Sequence, residues 1–162
     1  MNAPHSLVRV LFVCMGNICR SPAGEGVFTK MVVEAGLGDC IEVDSAGTIG
    51  MHAGHPADSR MRAAAAQRGY DLTSRARKVV VEDLDQFDLI LTMDEDNRRN
   101  VLNLASTEVQ RARVRPFCSF CEDHDETEVP DPYYGGPQGF DHVLDLLEDG
   151  CRGVLRWARS EV

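Results

Sequence analysis

Two residues that could act together on a bound anion lie at the ends of one short loop, in the segment "VCMGNICRSP" (13–22). Cys14 supplies a thiol, and Arg20 supplies a planar guanidinium that can grip two oxygens of a tetrahedral oxyanion. Between them, Gly16 and Asn17 tolerate backbone angles that most residues avoid. A loop that turns its amides toward a ligand and then enters a helix is an anion-binding site.

The thiol distinguishes this loop from a passive phosphate cradle. Amides and a guanidinium that hold an anion also stabilise a thiolate, so Cys14 is expected to be an ionised nucleophile beneath a phosphorus atom. Ser21 could donate a hydrogen bond to that sulfur. A lone cysteine at a strand end is more often a small core residue, but the strand, turn, Arg20 and Ser-Pro together favour catalysis. The loop lacks Gly-Lys-Ser/Thr, so neither nucleotide nor magnesium is implied.

At these residues the chain resembles the low-molecular-weight protein tyrosine phosphatases, and its "DSAGT" segment resembles that of the bacterial members. The similarity continues through "DSAGT" (44–48), "MDEDN" (93–97) and "DPYYGG" (131–136), and so covers almost the whole chain. It implies an α/β fold, a four-stranded parallel sheet flanked by helices on both faces, with a phosphate-binding loop after the first strand. The implied enzyme hydrolyses phosphotyrosine and small aryl phosphates through a cysteinyl-phosphate, with no metal and no cofactor.

The resemblance also assigns roles around the phosphate. Cys14 would be the nucleophile, Arg20 would hold the phosphoryl oxygens, and Asp131 would be the general acid that protonates the leaving oxygen. Asp131 lies between Pro130 and Pro132, which restrict the backbone and could hold the carboxyl over the loop. The implied phosphate-binding residues are Met15, Gly16, Asn17, Ile18, Cys19, Arg20 and Ser21.

A slot for a flat phenyl group is expected beside the loop. Its implied walls are Ile18, Met51, Tyr133 and Tyr134. Met51 stands where many relatives carry an aromatic residue, and methionine packs softly, so we expect weaker stacking and a looser preference among aryl phosphates. His52 and His55 fall near this mouth, and surface histidines are the expectation there.

Residues behind the loop are expected to fix its shape. Asn17 would do so through side-chain hydrogen bonds, with Ser21 and Ser45 as its partners by resemblance. Relatives often carry a histidine in this network, at a position that corresponds to Ser74 here. This exchange bears on the rigidity of the loop and not on its chemistry.

The other cysteines allow several interpretations. In relatives, the pair that matches Cys14 and Cys19 can form a reversible disulfide that protects the nucleophile, although Cys19 could equally pack inward. The segment "CSFCEDH" (118–124) offers Cys118, Cys121 and His124. A structural zinc site would need a second pair of ligands, and a thioredoxin-like pair is possible from C-x-x-C alone. Both cysteines are taken as ordinary.

The strands that must position these residues are short apolar runs. They are predicted at residues 7–13, 41–44, 89–93 and 114–117. Helical segments lie between them, which predicts parallel strands joined by right-handed crossovers with helices on both faces. Ligands of such sheets bind beyond the carboxyl ends of the strands, where Cys14 lies.

The first helix is expected to have Ser21 as its N-cap, Pro22 as its first residue and Gly36 as its end. Further helical segments are predicted at residues 61–68 and 94–104, with a short turn at 82–87. The clearest helix is the last, where Cys151 falls within an apolar stripe and is expected to be buried. The stripe consists of Phe140, Val143, Leu144, Leu147, Cys151, Val154, Leu155 and Ala158.

Composition bounds the class of protein. A chain of 162 residues favours a single phosphatase domain over residues 1–162. The formal net charge of −9 argues against nucleic-acid or anionic-membrane binding. The N-terminus shows no defensible signal peptide and no run is long enough to span a bilayer, so a cytoplasmic protein with mostly reduced cysteines is expected.

Two other functions compete with a phosphatase. An arsenate reductase of the same fold would need a cysteine pair within about residues 72–88, and none is there. A phosphotyrosine-binding module without activity would usually have lost Cys14, Arg20 or Asp131. The expected partner is a phosphotyrosine-containing protein, by family analogy a bacterial tyrosine kinase of capsule or exopolysaccharide export.

Overall fold

The computed structural model describes residues 7–133 and 135–162, and in these ranges four strands form one parallel sheet in the order β2-β1-β3-β4. This confirms the predicted fold class. The strands are β1 (Val8–Cys14), β2 (Ile41–Gly47), β3 (Leu89–Thr92) and β4 (Val114–Pro116). β2 runs beyond the predicted 41–44 because its polar end still pairs with β1, where Gly47 lies opposite Cys14.

Helices cover both faces of this sheet. On one face pack α1 (Arg20–Glu34), α2 (Ser59–Gln67) and α6 (Pro137–Glu161). The opposite face is covered by α3 (Asp83–Gln86) and α4 (Glu95–Leu102), with α5 (Glu108–Ala112) beside β4. A 3₁₀ turn, Phe117–Phe120, follows β4 directly.

β1 lies at the centre of the sheet and is buried on both sides. Val10 and Phe12 belong to the core under α1 and α6, whereas Leu11 and Val13 belong to the core under α3 and α4. Such a strand reads as a continuous apolar run because neither face meets water. Its neighbours β2 and β3 lie on opposite sides, so Cys14 ends β1 at the point where the strand order reverses, the usual ligand site of such sheets.

The predicted start of α1 is wrong by two residues. The helix begins at Arg20 with Cys19 as its N-cap. Ser21 cannot cap it, because its hydroxyl lies against the Cys14 sulfur and not against a backbone amide of the next turn. The predicted end is confirmed: α1 stops at Glu34, and Gly36 takes the left-handed φ of 73°.

The remaining helices follow local signals in the sequence. α2 begins at Ser59, before the predicted 61, because the Asp58 carboxylate accepts the Arg60 N–H at 2.8 Å. α4 ends at Leu102, two residues short of the prediction. α6 buries its apolar stripe, including Cys151, except for Leu155, which is partly buried and packs against the core. In residues 7–133 and 135–162 we find no helix that combines the length and apolarity needed to cross a membrane.

Candidate active site

A cavity of about 340 Å³ opens at the carboxyl end of β1. It brings together Cys14, Arg20 and Asp131, which are 117 positions apart along the chain at the extremes. Its lining consists of Cys14, Met15, Gly16, Ile18, Cys19, Arg20, Ile49, Met51, His52, Asp131 and Tyr133. Tyr134, an expected wall of the slot, lies outside the described residues.

The Cys14 side chain is buried at the floor of this cavity, and the start of α1 faces its sulfur. The Ser21 backbone N–H donates to Sγ at 3.4 Å, and the Ser21 hydroxyl oxygen lies 2.9 Å from Sγ. Amides in the first turn of a helix have no intrahelical partner and carry partial positive charge. This arrangement stabilises negative charge on the sulfur.

The Arg20 guanidinium is buried and held in one orientation. Its Nη1 donates to Asp94 Oδ2 at 2.6 Å and to the Val129 carbonyl at 3.0 Å, while Nη2 lies 3.7 Å from Asp131 Oδ2. Burial opposes the charged form, but negative charge at Cys14 and the bond to Asp94 raise the pKa of Arg20. The arginine therefore stays a cation at the cavity.

Asp94 is a functional residue that sequence reasoning missed. It is the N-cap of α4, where Oδ1 accepts the Asn97 N–H at 2.8 Å, so its second oxygen is fixed toward Arg20. One carboxylate thus starts a helix and orients the arginine. The segment "MDEDN" (93–97) carried this signal, but a capping aspartate also explains it without any role in a site.

Asp131 lines the cavity beside the Arg20 guanidinium. Its side chain is 34% exposed, and Oδ1 accepts the Tyr133 N–H at 3.0 Å. The Val129 N–H bonds to the Met93 carbonyl at 2.8 Å and ties this segment to the end of β3. A carboxyl held in this way has access both to the cavity and to water, as proton transfer requires.

Asn17 sets the shape of the loop. It takes a left-handed φ of 56°, and no other residue in the described ranges except glycine has a positive φ. Its Nδ2 donates to Ser21 Oγ at 2.8 Å and to Ser45 Oγ at 3.0 Å, and Oδ1 accepts the Arg77 N–H at 3.0 Å. Three bonds from one buried side chain hold a backbone conformation that would otherwise be unfavourable.

A second group behind the loop was missed: the Glu25 carboxylate. Glu25 Oε1 accepts a hydrogen bond from Ser45 Oγ at 2.6 Å, and Ser74 also bonds to this carboxyl. Burial raises the pKa of Glu25 although both hydroxyls favour its charged form. Ser74 therefore joins the network behind the loop. The signal was an acidic residue one turn beyond Ser21 on the inner face of a helix.

The rim of the cavity is mostly apolar. Ile18, Ile49 and Tyr133 lie around it, and Met51 is its most exposed member, at 76%. His52 also lines the cavity and does not behave as an ordinary surface histidine, since a Cβ on Gly16 would come within 3.0 Å of its ring. Sequence reasoning left out Ile49, and it placed His52 near the mouth but expected a surface histidine there.

Cys19 is buried beneath the rim. Burial, with added repulsion from Asp58, Cys14 and Asp131, raises the pKa of Cys19 to about 12. Its sulfur is therefore a neutral thiol near neutral pH. Cys14 and Cys19 are both free thiols in the structure, and their pairing in a disulfide stays a prediction.

Comparisons with known proteins agree with this geometry. The family model described as "Low molecular weight phosphotyrosine protein phosphatase" matches residues 9–162. A putative low molecular weight protein-tyrosine-phosphatase of Synechocystis sp. is 48% identical over 91% of this chain and 94% of the relative. A low molecular weight protein-tyrosine-phosphatase of Streptomyces coelicolor is 43% identical over 95% of each.

Solved structures give the same result. A crystal structure of a protein tyrosine phosphatase from Entamoeba histolytica superposes with a TM-score of 0.92 at 43% identity, covering 94% of this chain and 97% of that chain. The fold and the loop thus define an α/β phosphatase of hydrolase class. The chain belongs to the low molecular weight phosphotyrosine protein phosphatase family.

Proposed function

We propose that the chain hydrolyses phosphotyrosine with Cys14 as nucleophile, Arg20 as the phosphoryl-binding cation and Asp131 as general acid. The supporting observation is the convergence of these three side chains on one cavity, with Arg20 Nη2 3.7 Å from Asp131 Oδ2 and the Cys14 sulfur at the start of α1. Family membership implies phosphoprotein substrates.

In the first step the Cys14 thiolate attacks phosphorus in line with the leaving oxygen. The bond from phosphorus to that oxygen breaks, and Asp131 supplies the proton that the leaving phenol requires. Loop amides and Arg20 hold the three remaining oxygens, where negative charge is concentrated in the transition state. The product of this step is a cysteinyl-phosphate.

In the second step a water molecule replaces the sulfur. Asp131, now a carboxylate, accepts a proton from the water as it attacks phosphorus. The phosphorus–sulfur bond breaks, and the Cys14 sulfur leaves as a thiolate. The Ser21 hydroxyl, 2.9 Å from Sγ, stabilises that leaving group and lowers the barrier of this step.

Hydrolysis of p-nitrophenyl phosphate in the absence of added metal tests the assignment. Cys14→Ser should abolish turnover, and Asp131→Ala should lower kcat by about 10²- to 10⁴-fold. Cys40→Ser, a half-buried thiol before β2, is the matched control and should retain full activity. Activity that survives in Cys14→Ser but disappears with EDTA would show that different chemistry is at work.

The apolar rim favours a flat aromatic leaving group. Vibrio vulnificus Wzb, 26% identical to this chain with a TM-score of 0.78, has been solved in complex with benzylphosphonate, in which a phenyl ring is joined to a phosphonate through one carbon. In this chain Ile18, Ile49 and Tyr133 line the cavity and offer apolar contact for such a ring. This supports phosphotyrosine over aliphatic phosphomonoesters.

Met51→Trp tests the substrate slot. An aromatic pair contributes about 0.5–1.5 kcal/mol beyond area burial, so KM for p-nitrophenyl phosphate should fall by about 2- to 10-fold while KM for an aliphatic phosphate stays constant. Val109→Trp on α5, at a position that is also exposed and lies outside the cavity lining, controls for the added indole. Equal turnover and affinity for aryl phosphates in wild type and Met51→Trp would remove Met51 from the slot.

We further propose that the substrate is a bacterial protein-tyrosine kinase and that the protein acts in the cytoplasm. Similarity to bacterial members supports the first point, and a nucleophilic thiol that must stay reduced supports the second. The Asp131→Ala variant, which binds substrate but turns it over slowly, should retain tyrosine-phosphorylated kinase on a column. Retention of other phosphoproteins alone would overturn the kinase assignment.

A further inference from the structure

The segment "CSFC" (118–121) has no part in the proposed mechanism, yet the fold places its two thiols side by side. Cys118 lies in the 3₁₀ turn that follows β4, and the Cys121 N–H donates to the Cys118 carbonyl at 3.1 Å. This turn brings the two side chains next to each other, and the Cys121 thiol donates to the Leu146 carbonyl of α6 at 3.7 Å. Neither thiol touches the cavity at Cys14.

Helix α6 holds this turn tightly. Gly150 faces the Phe117 ring and Gly153 faces the Phe120 carbonyl, and a Cβ at either glycine would overlap the turn. Because α6 approaches so closely, residues 117–120 cannot shift without displacing the helix. The relative position of the two thiols is therefore set by packing and not only by the turn itself.

The backbone that follows the second thiol is fixed as well. Buried Asp149 on α6 accepts the Glu122 N–H at 2.9 Å and the Asp123 N–H at 3.0 Å, and its Oδ2 lies 2.7 Å from His124 Nδ1. His124 is thus engaged with a carboxylate. Across residues 7–133 and 135–162 there is no group of three or more His, Cys, Asp or Glu side chains that could hold a metal ion.

The two thiols differ electrostatically. Contact with the Cys121 thiol lowers the pKa of Cys118, whereas the same contact and burial raise the pKa of Cys121. Cys118 is therefore the more readily ionised thiol of the pair, and Cys121 is the neighbouring thiol that can resolve it. An ionised sulfur beside a resolving thiol is the arrangement that reacts with peroxide and then closes to a disulfide.

We propose that Cys118 and Cys121 form a second oxidisable thiol pair, separate from the phosphate-binding loop, that closes to a disulfide with hydrogen peroxide or an organic hydroperoxide as oxidant. The Cys118 thiolate attacks a peroxide oxygen, the O–O bond breaks, and the departing oxygen leaves as water or alcohol once protonated. Cys121 then attacks the Cys118 sulfenic acid, its proton leaves with the hydroxyl as water, and the S–S bond forms. Two thiols are oxidised and one peroxide is reduced.

A variant without the loop thiols isolates this reaction. In Cys14→Ser/Cys19→Ser, four of the six cysteines remain, namely Cys40, Cys118, Cys121 and Cys151. Hydrogen peroxide should remove two titratable thiols per chain, with loss of the mass of two hydrogen atoms from the peptide that contains residues 118–121. Dithiothreitol should restore both thiols.

Matched variants in that background identify the atoms. Cys40→Ser should leave the two-thiol loss unchanged, whereas Cys121→Ser should abolish it and leave a Cys118 sulfenic acid that dimedone captures. The same peptide mapping of the wild-type chain, with inorganic phosphate present, makes the test independent of the folding of the double variant. A reduced 118–121 peptide after peroxide, a disulfide to Cys40 or Cys151, or sulfinic acid at Cys118 would each overturn the proposal.

Discussion

At the scale of the residue, the phosphate-binding loop depends on what lies directly beneath it. Gly47 ends β2 under the loop, and a Cβ there would lie 2.7 Å from the Met15 carbonyl oxygen and 3.1 Å from the Asn17 nitrogen. The loop therefore packs directly against the Gly47 backbone, and hydrogen bonds from the Asn17 side chain hold it in place. Its amides keep their positions before any phosphate arrives, so little reorganisation is needed in the transition state.

Asn17→Ala should separate loop shape from chemistry. It removes three hydrogen bonds and leaves Ser21 and Ser45 without a donor, so we expect the free energy of unfolding to fall by about 1–3 kcal/mol. The value of kcat should fall about 10- to 100-fold as the amides lose their alignment. Both are measured by urea unfolding and by p-nitrophenyl phosphate turnover.

Asn17→Gly is the matched control. Glycine adopts a positive φ without strain, so this variant restores backbone freedom but not the three bonds. A loss in Asn17→Gly similar to that in Asn17→Ala would assign the effect to hydrogen bonding. Full activity in both variants would contradict the role given to this side chain.

Residue types also explain which parts of the site could be predicted. Cys14, Arg20 and Asp131 stand in segments whose composition is unusual, so they could be selected from the sequence. Glu25 and Asp94 could not be selected from the sequence, because acidic residues are common on helices and at N-caps. Their importance comes from contacts with Ser45 and Arg20, which are long-range in sequence.

At the scale of the element, Glu25 couples helix α1 to strand β2 and makes stability depend on pH. Because burial raises the pKa of Glu25, the folded chain favours its protonated form. Its contribution to stability is present at pH below the ordinary carboxyl range and is lost as pH rises through the raised value. Glu25→Gln removes this pH-dependent contribution. The free energy of unfolding of the variant should therefore decline less than that of wild type as the pH rises from the ordinary carboxyl range through the raised pKa.

Urea unfolding of wild type and Glu25→Gln at several acidic pH values measures the effect. Glu34→Gln, on the same helix but largely exposed, is the control and should follow wild type. If the curves of wild type and Glu25→Gln stay parallel across the interval, the carboxyl does not titrate abnormally and this account of the network is wrong.

Asp149 on α6 binds two backbone amides of the segment after β4, beside the Arg152–Asp123 and Arg156–Glu122 ion pairs at the surface. Asp149→Ala leaves the part-buried Glu122 and Asp123 amides without their acceptor and removes the partner of His124; a lost hydrogen bond to a charged group costs about 1.5–3 kcal/mol. We expect a loss of about 2–4 kcal/mol in the free energy of unfolding by urea. Asp145→Ala, an exposed partner of Arg68 on the same helix, should cost less than about 1 kcal/mol; equal losses would contradict this explanation.

Helices and strands with strong local signals were predicted, and those fixed by tertiary contact were not. The periodic apolar face predicted α6, and Gly36 predicted where α1 ends. α5 was missed although Thr107 and Gln110 form a capping box, because the helix has only 5 residues and no buried stripe. The early start of α1 depends on the Cys14 sulfur, which no local pattern shows.

At the scale of the whole molecule, the cavity presents the Arg20 guanidinium on a protein whose net charge is strongly negative. The net charge of −9 repels anions at a distance, so capture of a phosphate must rely on the loop amides and Arg20. The predicted fold class survives comparison with the structure because it rests on alternation along the entire chain. The lining of the cavity was only partly predicted, since Ile49 and His52 reach it through a loop of irregular shape.

Activity as a function of pH should report the two opposite protonation states that the mechanism needs. Cys14 must be ionised while Asp131 is protonated, so kcat/KM should follow a bell-shaped curve that peaks on the acidic side of neutral. Asp131→Asn removes the acid and should abolish the decline on the alkaline side. Rates for p-nitrophenyl phosphate across a pH series test this, and a maximum well above neutral would contradict the roles.

Because β1 lies between β2 and β3, the residue proposed for the chemical step and the residues proposed to select the substrate lie in different parts of the fold. The proposed nucleophile ends the central strand, which is buried on both faces, whereas Met51, His52 and Tyr133 belong to loops at the mouth of the cavity. Substrate selectivity can therefore change through substitutions in the loops at the mouth of the cavity, without substitutions in β1. A transplant of residues 49–52 from a relative should carry that relative's substrate preference into this chain and leave the chemical step as it was.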